Sequence, residues 1–451
     1  METKLRTENK MGTMPVGRLL ANMALPMVIS MLVQALYNVV DSVYVSRVSE
    51  NALTAVSMAF PIQNLMIGFS TGVGVGMNSL LSKCLGSREY DRGNLTAGNG
   101  LVLSGICCLL FMLFGAFGAG VFFRVQTDIP EILTGGVEYL QICTLFSFGI
   151  FGEILFERLL QATGRTLYTM ITQGVGAVLN IVLDPLFIYT LGMGIRGAGA
   201  ATALSQVMVW AALLWFYVRG KTSVRISVRQ VARTPRMVKL IFTTGFPSLC
   251  RHCGNALATI VLNRAAGGFG DAAIAAFSIA SRVSGLALSV SIGFVQGLQP
   301  VAGYAHGSKD HARLKSAFRF CCAASMSALT ALAVIIAAAA PWIVRMLSPS
   351  DGGLVETGAA GLRAASIALP FTTFINCTGT LFQAIRESAR SSALVLGKQV
   401  CIYIPLLLAL PRAWSMNGLM AAMPLADALG FLAALWMARS YFRRAQHAAA
   451  L

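Results

Sequence analysis

Gln34-Ala-Leu-Tyr37-Asn38-Val-Val-Asp41 lies inside an apolar run that begins near Leu19, and Asp41 is the one carboxylate of that run. On a helix, Tyr37 stands four residues before Asp41 and Asn38 three, so both lie on its face. Gln34 sits two turns back on the same face. The stretch is therefore a polar stripe, ended by a carboxylate, on a helix otherwise suited to lipid. A carboxylate at that depth is costly unless it faces a water-filled cavity, a cation or a proton path. The alternative is a place near the helix end, where Asp41 is simply solvated.

The whole chain has the character of that run. Of its 451 residues 56% are hydrophobic and 12% charged, with a mean hydropathy of +0.69. Soluble domains carry about 25% charged residues, so this is a polytopic membrane protein. The ten cysteines fall mostly inside apolar segments and read as small core residues rather than disulfides. Cys250-Arg-His-Cys253 has a metal-like spacing but lacks a second ligand pair, so no metal site and no cofactor are expected. The net charge of +17 sits in the connections between apolar runs, where it is a topology signal, and no nucleic-acid partner is expected. No cleavable signal is expected either, because the first apolar run is too long for a signal core.

Apolar runs of spanning length recur twelve times: near 19–46, 52–80, 95–122, 133–157, 166–190, 197–218, 238–264, 273–303, 317–345, 362–384, 392–411 and 416–438. Alternate connections are rich in Lys and Arg, from Lys4, Arg6, Lys10 and Arg18 through Arg219–Lys239 to Arg386, Arg390, Lys398, Arg439, Arg443 and Arg444. The opposite set is sparse, holding Arg47, Arg124, Arg196, Arg264, Arg345, Arg363 and Arg412. Both termini are thus expected in the cytoplasm of a cell-membrane protein. The basic connection is expected to be either a charged linker or a short interfacial helix. With no GxxxxGK[ST] loop present, energy is expected from an ion gradient rather than ATP on this chain.

The chain also repeats itself. A shift of 221 residues brings Pro26 onto Pro247, Gly72 and Gly76 onto Gly293 and Gly297, and Gly86, Ser87 and Arg92 onto Gly307, Ser308 and Arg313. The same shift carries Gly197, Ala200 and Ala201 onto Gly418, Ala421 and Ala422, whereas Gln161-Ala162 meets Gln383-Ala384 at 222. A one-residue insertion therefore lies between. The expected architecture is all-α, with twelve transmembrane helices in two six-helix lobes, 1–218 and 238–451, joined by a basic cytoplasmic linker, 219–237. Six helices per half give both halves one orientation, related by a pseudo-twofold along the membrane normal. Transporters of that kind hold substrate between the halves and rock them.

Two carboxylates lie deep in these spans, Asp41 and Asp184. Asn180 is one turn before Asp184 on the same face, and Pro185 frees the carbonyl of Ile181, which makes an oxygen cage for a hard cation plausible. Thr202 offers a hydroxyl a turn inside the next helix, or back-bonds to its own helix. Shifted by 221, Asp41, Asn180, Asp184 and Thr202 land on Leu262, Cys401, Pro405 and Met423, so hard-cation chemistry is expected in the first half alone. Among other groups, Glu157 is expected at the membrane interface, and Glu153, Arg251, His252, Asn255 and Asn376 are candidates for the cavity. Asp427 is expected either to titrate or to pair with a base such as Arg251, and internal pairing is favoured for Arg251, His252 and Arg282. Pro26, four turns before Asp41, gives the first helix a candidate hinge.

Taken together, Pro26 with Gln34…Asp41, Gly86-Ser87, Gln161-Ala-Thr-Gly164, Asn180-Ile-Val-Leu-Asp184, Gly197-Ala-Gly-Ala-Ala-Thr202, Phe246-Pro247-Ser248 and Ala275-Ala276-Phe277 with Arg282 resemble the multidrug and toxic compound extrusion (MATE) family over essentially the whole chain. The resemblance implies a V-shaped bundle of two lobes that exports organic, often cationic, amphiphiles against Na+ or H+. It implies that Asp41, Asn180, Asp184 and Thr202 form the cation site, with Tyr37 and Asn38 in its hydrogen-bond network. Acidic residues that some family members carry in helices 7 and 10 are missing here. The expected partners are small organic substrates and the bilayer, and a monomer is expected. A flippase-type exporter of a lipid-linked or polar metabolite is the competing reading, against which the helix count argues. An enzyme is not expected, because the four histidines are scattered.

Overall fold

The structure, a computed structural model, describes residues 10–220, 224, 226, 235–347 and 352–450. Lys4, Arg6 and most of the basic linker, with Lys221, Arg225, Arg229 and Arg233, lie outside the described residues. Among the described residues the regular structure is helical. A single turn, Lys10–Thr13, precedes α1, Val16–Ser46, and α2, Glu50–Gly86. Next come α3, Tyr90–Arg124, and α4, whose pieces Pro130–Leu145 and Phe148–Ala162 meet at a 42° bend. Then follow α5, Thr166–Thr190, α6, Ile195–Arg219, and α7, Pro235–Gly267. The last are α8, Asp271–Gly307, α9, His311–Leu347, α10, Gly352–Ala384, α11, 388–413, and α12, 416–450. Trp414 and Ser415 leave helical geometry between α11 and α12. There the chain turns back, since Gly418 lies against Leu410 and Gly430 against Lys398, the register of an antiparallel hairpin.

Every expected apolar run coincides with one of these rods. Nine helical stretches among the described residues are long and apolar enough to cross a membrane, ten with the bent α4, and the α11–α12 hairpin counts once among them. α7 is not among them, because Lys239, Arg251, His252 and Asn255 interrupt its apolar sequence. Large apolar side chains such as Phe117, Val125 and Trp436 are exposed, which suits hydrocarbon and would be costly in water.

The turns repeat as faithfully as the helices. After α2, Ser87 N donates to Lys83 O at 2.9 Å and Glu89 N to Cys84 O at 2.8 Å. After α8, Ser308 N donates to Tyr304 O at 2.9 Å and Asp310 N to Ala305 O at 3.0 Å, 221 residues on. Left-handed residues close both turns, Arg88 at φ 62° and Lys309 at φ 60°. Gly164 at φ 82° and Arg386 at φ 69° match at a shift of 222, and Gly194 at φ 56° and Ser415 at φ 49° again at 221. The one-residue insertion is therefore visible in the backbone.

The chain divides into two compact units: Met1–Thr13 with Ile29–Leu249, and Met14–Val28 with Cys250–Leu451. The sequence boundaries 1–218 and 238–451 differ from this division at the start of α1 and the start of α7. Close helix approach at glycine is the reason. In the first unit a Cβ on Gly76 would stand 2.1 Å from Ile241 O, so α7 begins in the α2 groove. In the second unit a Cβ on Gly293 would stand 2.4 Å from Val28 Cα, and one on Gly297 2.7 Å from Ala24 Cα, so α1 begins in the α8 groove. The division falls two residues after Pro26 and two after Pro247. α1 stays continuously helical through Pro26.

Candidate cation and proton site

Four helices of the first unit, α1, α2, α4 and α5, build the site. Asp184 on α5 is fully buried and Asp41 on α1 is half-buried, and their carboxyl groups are within hydrogen-bonding reach of one another. Asn180 Nδ2 donates to Asp184 Oδ1 at a long 3.4 Å. Asp41 Oδ1, Asn180 Oδ1 and Asp184 Oδ2 are left as buried oxygens with no hydrogen-bond partner. Two carboxyl groups this close cannot both stay ionised without a proton or a cation between them. The local backbone follows from Pro185, which cannot bond back to Ile181. α5 then widens into a π segment, Leu186–Thr190, closed by Leu191 N donating to Leu186 O at 2.9 Å.

Tyr37 extends the site one turn along α1. Its hydroxyl lies within reach of Gln34 and close to Glu153, Asp41 and Asp184. Glu153 on α4 is buried and accepts from Gln173 Nε2 of α5 at 2.7 Å. On the other side Gln63 Nε2 of α2 donates to Tyr139 Oη at 3.1 Å, and Tyr139 and Cys143 both lie near Asp41. Gln63, Tyr139 and Gln173 were not legible as site residues. Neutral polar groups scattered through apolar runs give no signal until the helices are placed.

For other expected members the described residues show no side-chain hydrogen bond to the carboxyl pair. Asn38 is exposed and its side chain makes no hydrogen bond among the described residues, while its carbonyl accepts from Ser42 Oγ at 2.9 Å. At about 100° per residue, Asn38 lies some 60° round the helix from Asp41, on the side away from Tyr37. Thr202 is half-buried, and its hydroxyl makes no hydrogen bond among the described residues, neither to the site nor back to its own helix. In the second unit Arg251 and His252 are half-buried and engaged in interactions of their own, Asn376 is half-buried, and Asn255 and Arg282 are exposed.

Two further charged groups have defined partners. Glu157 is buried within the protein, accepting from Gln161 Nε2 at 2.8 Å, while Arg158 Nη1 donates to Gln161 Oε1 at 3.0 Å. These amide bridges make the burial of both charges tolerable. The base facing Asp427 is Lys398, with Nζ 2.6 Å from Asp427 Oδ1, and Lys398 belongs inside α11 rather than to a charged connection. The counterparts of Asp41 and Thr202, Leu262 and Met423, lie in an apolar cluster with Tyr403, Leu407, Leu419 and Ala426.

Comparison with known proteins agrees with this architecture. The MatE family model matches residues 26–186 and 247–407, two segments whose starts and ends both differ by 221 (247 − 26 and 407 − 186). The multidrug export protein MepA of Staphylococcus saprophyticus is 22% identical over 416 residues, which cover 91% of this chain and 91% of that protein. Among solved structures, a MATE in complex with MaL6 superposes with a TM-score of 0.94 at 24% identity, over 98% of this chain and 100% of that one. A MOP-superfamily transporter of Pyrococcus furiosus, described as having a binding pocket of reverse polarity that suggests a different function, gives 0.92 at 24% identity over 98% and 99%. Since the family model spans well over half of the sequence and meets both of its halves, the chain belongs to the MatE family of MATE transporters.

Proposed function

We propose that this chain is a secondary antiporter that exports organic, cationic amphiphilic compounds across the cell membrane in exchange for Na+ or H+. The observation that carries the reading is the Asp41–Asp184 centre, two carboxyl groups within reach of one another with three unpartnered oxygens around them. The resemblance to a multidrug export protein supports the cargo class. The Lys and Arg distribution supports cytoplasmic termini.

The chemistry is an exchange of charge partners. With Na+ bound, both carboxylates stay ionised and share the cation with Asn180 Oδ1. With a proton bound, one carboxyl donates to the other and the amides of Asn180 and Gln34 reorient. The two states differ in how strongly they hold α1 against α5, and that difference in affinity is what lets an ion gradient drive a conformational change. Pro26 is where α1 yields, because the helix lacks a backbone bond there and passes from one unit to the other two residues later.

The test is transport of a fluorescent organic cation in proteoliposomes, with Na+ and H+ gradients imposed separately. One gradient is expected to drive efflux, and Asp41→Asn to remove that drive. Efflux indifferent to both gradients, or undiminished in Asp41→Asn, would overturn the proposal.

A further inference from the structure

The second unit encloses an ion pair that the coupling centre does not use. Lys398 Nζ of α11 stands 2.6 Å from Asp427 Oδ1 of α12, with the Asp427 side chain fully buried and 14% of the Lys398 side chain exposed. Asp427 Oδ2 has no hydrogen-bond partner. Gly430 makes room for the lysine stem, since a Cβ there would lie 3.0 Å from Lys398 Cγ. Lys398 sits in a π-helical stretch, Gly397–Tyr403, and Tyr403 at its end lies close to Asp427. Such widened turns redirect side chains relative to a regular helix and recur at functional positions.

Its place in the repeat gives the pair its meaning. The counterparts of Asn180 and Thr202 are Cys401 on α11 and Met423 on α12. Lys398 comes three residues before Cys401, and Asp427 four residues after Met423, each about one helical turn away. Because α11 and α12 form an antiparallel hairpin, both displacements point the same way. The second unit thus places one ammonium and one carboxylate a turn from where the first unit places Asn180 and Thr202.

We propose that the Lys398–Asp427 pair is a cation site filled by the chain itself, so that the second unit takes up neither Na+ nor H+ and ion exchange is confined to the first. The inference rests on the antiport reading. A buried carboxylate needs a counter-charge or a proton, and a tethered ammonium supplies one that cannot leave. Lys398 and Tyr403 on α11 face Asp427; on the other elements, Arg251 and His252 on α7 have interactions of their own, and Cys377 on α10 meets Cys321 Sγ at 4.0 Å.

Removing the ammonium should create an exchangeable site. Purified full-length protein carrying Asp41→Asn and Asp184→Asn provides a background without the first-unit site. In that background the melting temperature is followed as Na+ replaces choline at constant ionic strength, and as pH is stepped from alkaline to mildly acidic. Adding Lys398→Met is expected to introduce a rise with Na+ or acid, and adding Asp427→Asn as well is expected to abolish it. If Lys398→Met aggregates without ions, Na+ or acid should recover a monodisperse peak on size exclusion. In the otherwise unaltered chain, Lys398→Met should double the number of ions exchanged per cargo. No ion response in Lys398→Met, no recovery by ions, or a response that survives Asp427→Asn would overturn the proposal. Failure of the antiport reading itself would show separately, as Asp41→Asn efflux that still follows the gradient.

Discussion

Gly245 on α7 rests directly on the carbonyl of Gly72 on α2: a Cβ on Gly245 would stand 1.8 Å from Gly72 O and 3.2 Å from its Cα. Backbone faces backbone there, so no side-chain rotation can make room. Gly245→Ala is expected to destabilise the protein by at least the ~1–3 kcal/mol of ordinary overpacking. Gly285→Ala on α8, where a Cβ meets nothing within 4 Å, should be neutral or stabilise by about 0.4–1 kcal/mol. Thermal unfolding in detergent compares the two, and equal melting temperatures would sink the close-contact account.

Within the first unit, Asp184→Asn should abolish gradient-driven efflux as completely as Asp41→Asn, with the fold retained by circular dichroism. Tyr37→Phe keeps the ring and removes the hydroxyl that meets Gln34. It should slow efflux without abolishing it. Wild-type transport by Asp184→Asn would remove the carboxyl pair from consideration.

Asn38→Ala should change stability by no more than about 0.5 kcal/mol, since surface changes away from special features seldom exceed that, and its amide is exposed and unbonded. It should transport at the parent's rate, whereas Gln34→Ala should not. A transport-dead Asn38→Ala would mean that the amide joins the network in another state of the cycle.

The two acid–base pairs with the clearest environments should respond very differently to loss of the acid. Asp427→Asn strands Lys398 in the interior and should cost about 3–5 kcal/mol, as breaking buried pairs does. Glu89→Gln, in a pair whose side chains are 66% and 41% exposed, should cost about 0–1 kcal/mol. The hydrogen bond from Arg92 holds the Glu89 carboxyl below its ordinary range. What it contributes is therefore present above that range and is lost as pH falls through the lowered value. Denaturation curves at neutral and acidic pH measure both effects.

Pro26→Ala should leave Na+ or proton binding nearly intact and slow efflux. Efflux at the parent's rate would show that bending of α1 is not part of the cycle.

Much of this molecule was legible from spacing alone. The repeat at 221, its slip to 222 near Gln161, and the helical rods follow from glycines, turn residues and apolar runs, which act locally. Asp41, Asn180 and Asp184 were legible because charge and amide deep in apolar sequence have few explanations. Lys398 was not, because a lysine near a helix start looks like a loop charge until its partner on α12 is placed. The partners of Glu157 were not legible for the same reason, since Gln161 and Arg158 compensate its burial only in three dimensions. Asn38 is exposed here, since a residue three positions from a carboxylate lies some 60° round the helix from it.

The grooves at Gly72–Gly76 and Gly293–Gly297 also bear on how the chain is made. Gly245 leaves the ribosome 173 residues after Gly72 (245 − 72), whereas Gly293 follows Val28 by 265 (293 − 28). The first stretch of α1 therefore precedes its seat on α8 by a longer run of chain than separates α2 from the start of α7. Until α8 is inserted, Ala24 and Val28 lack the glycine groove that seats them. A gene cut at the basic connection would yield two pieces that each lack a helix start and can be completed only by the other, so nascent-chain quality control must tolerate a long wait before α1 is fully packed.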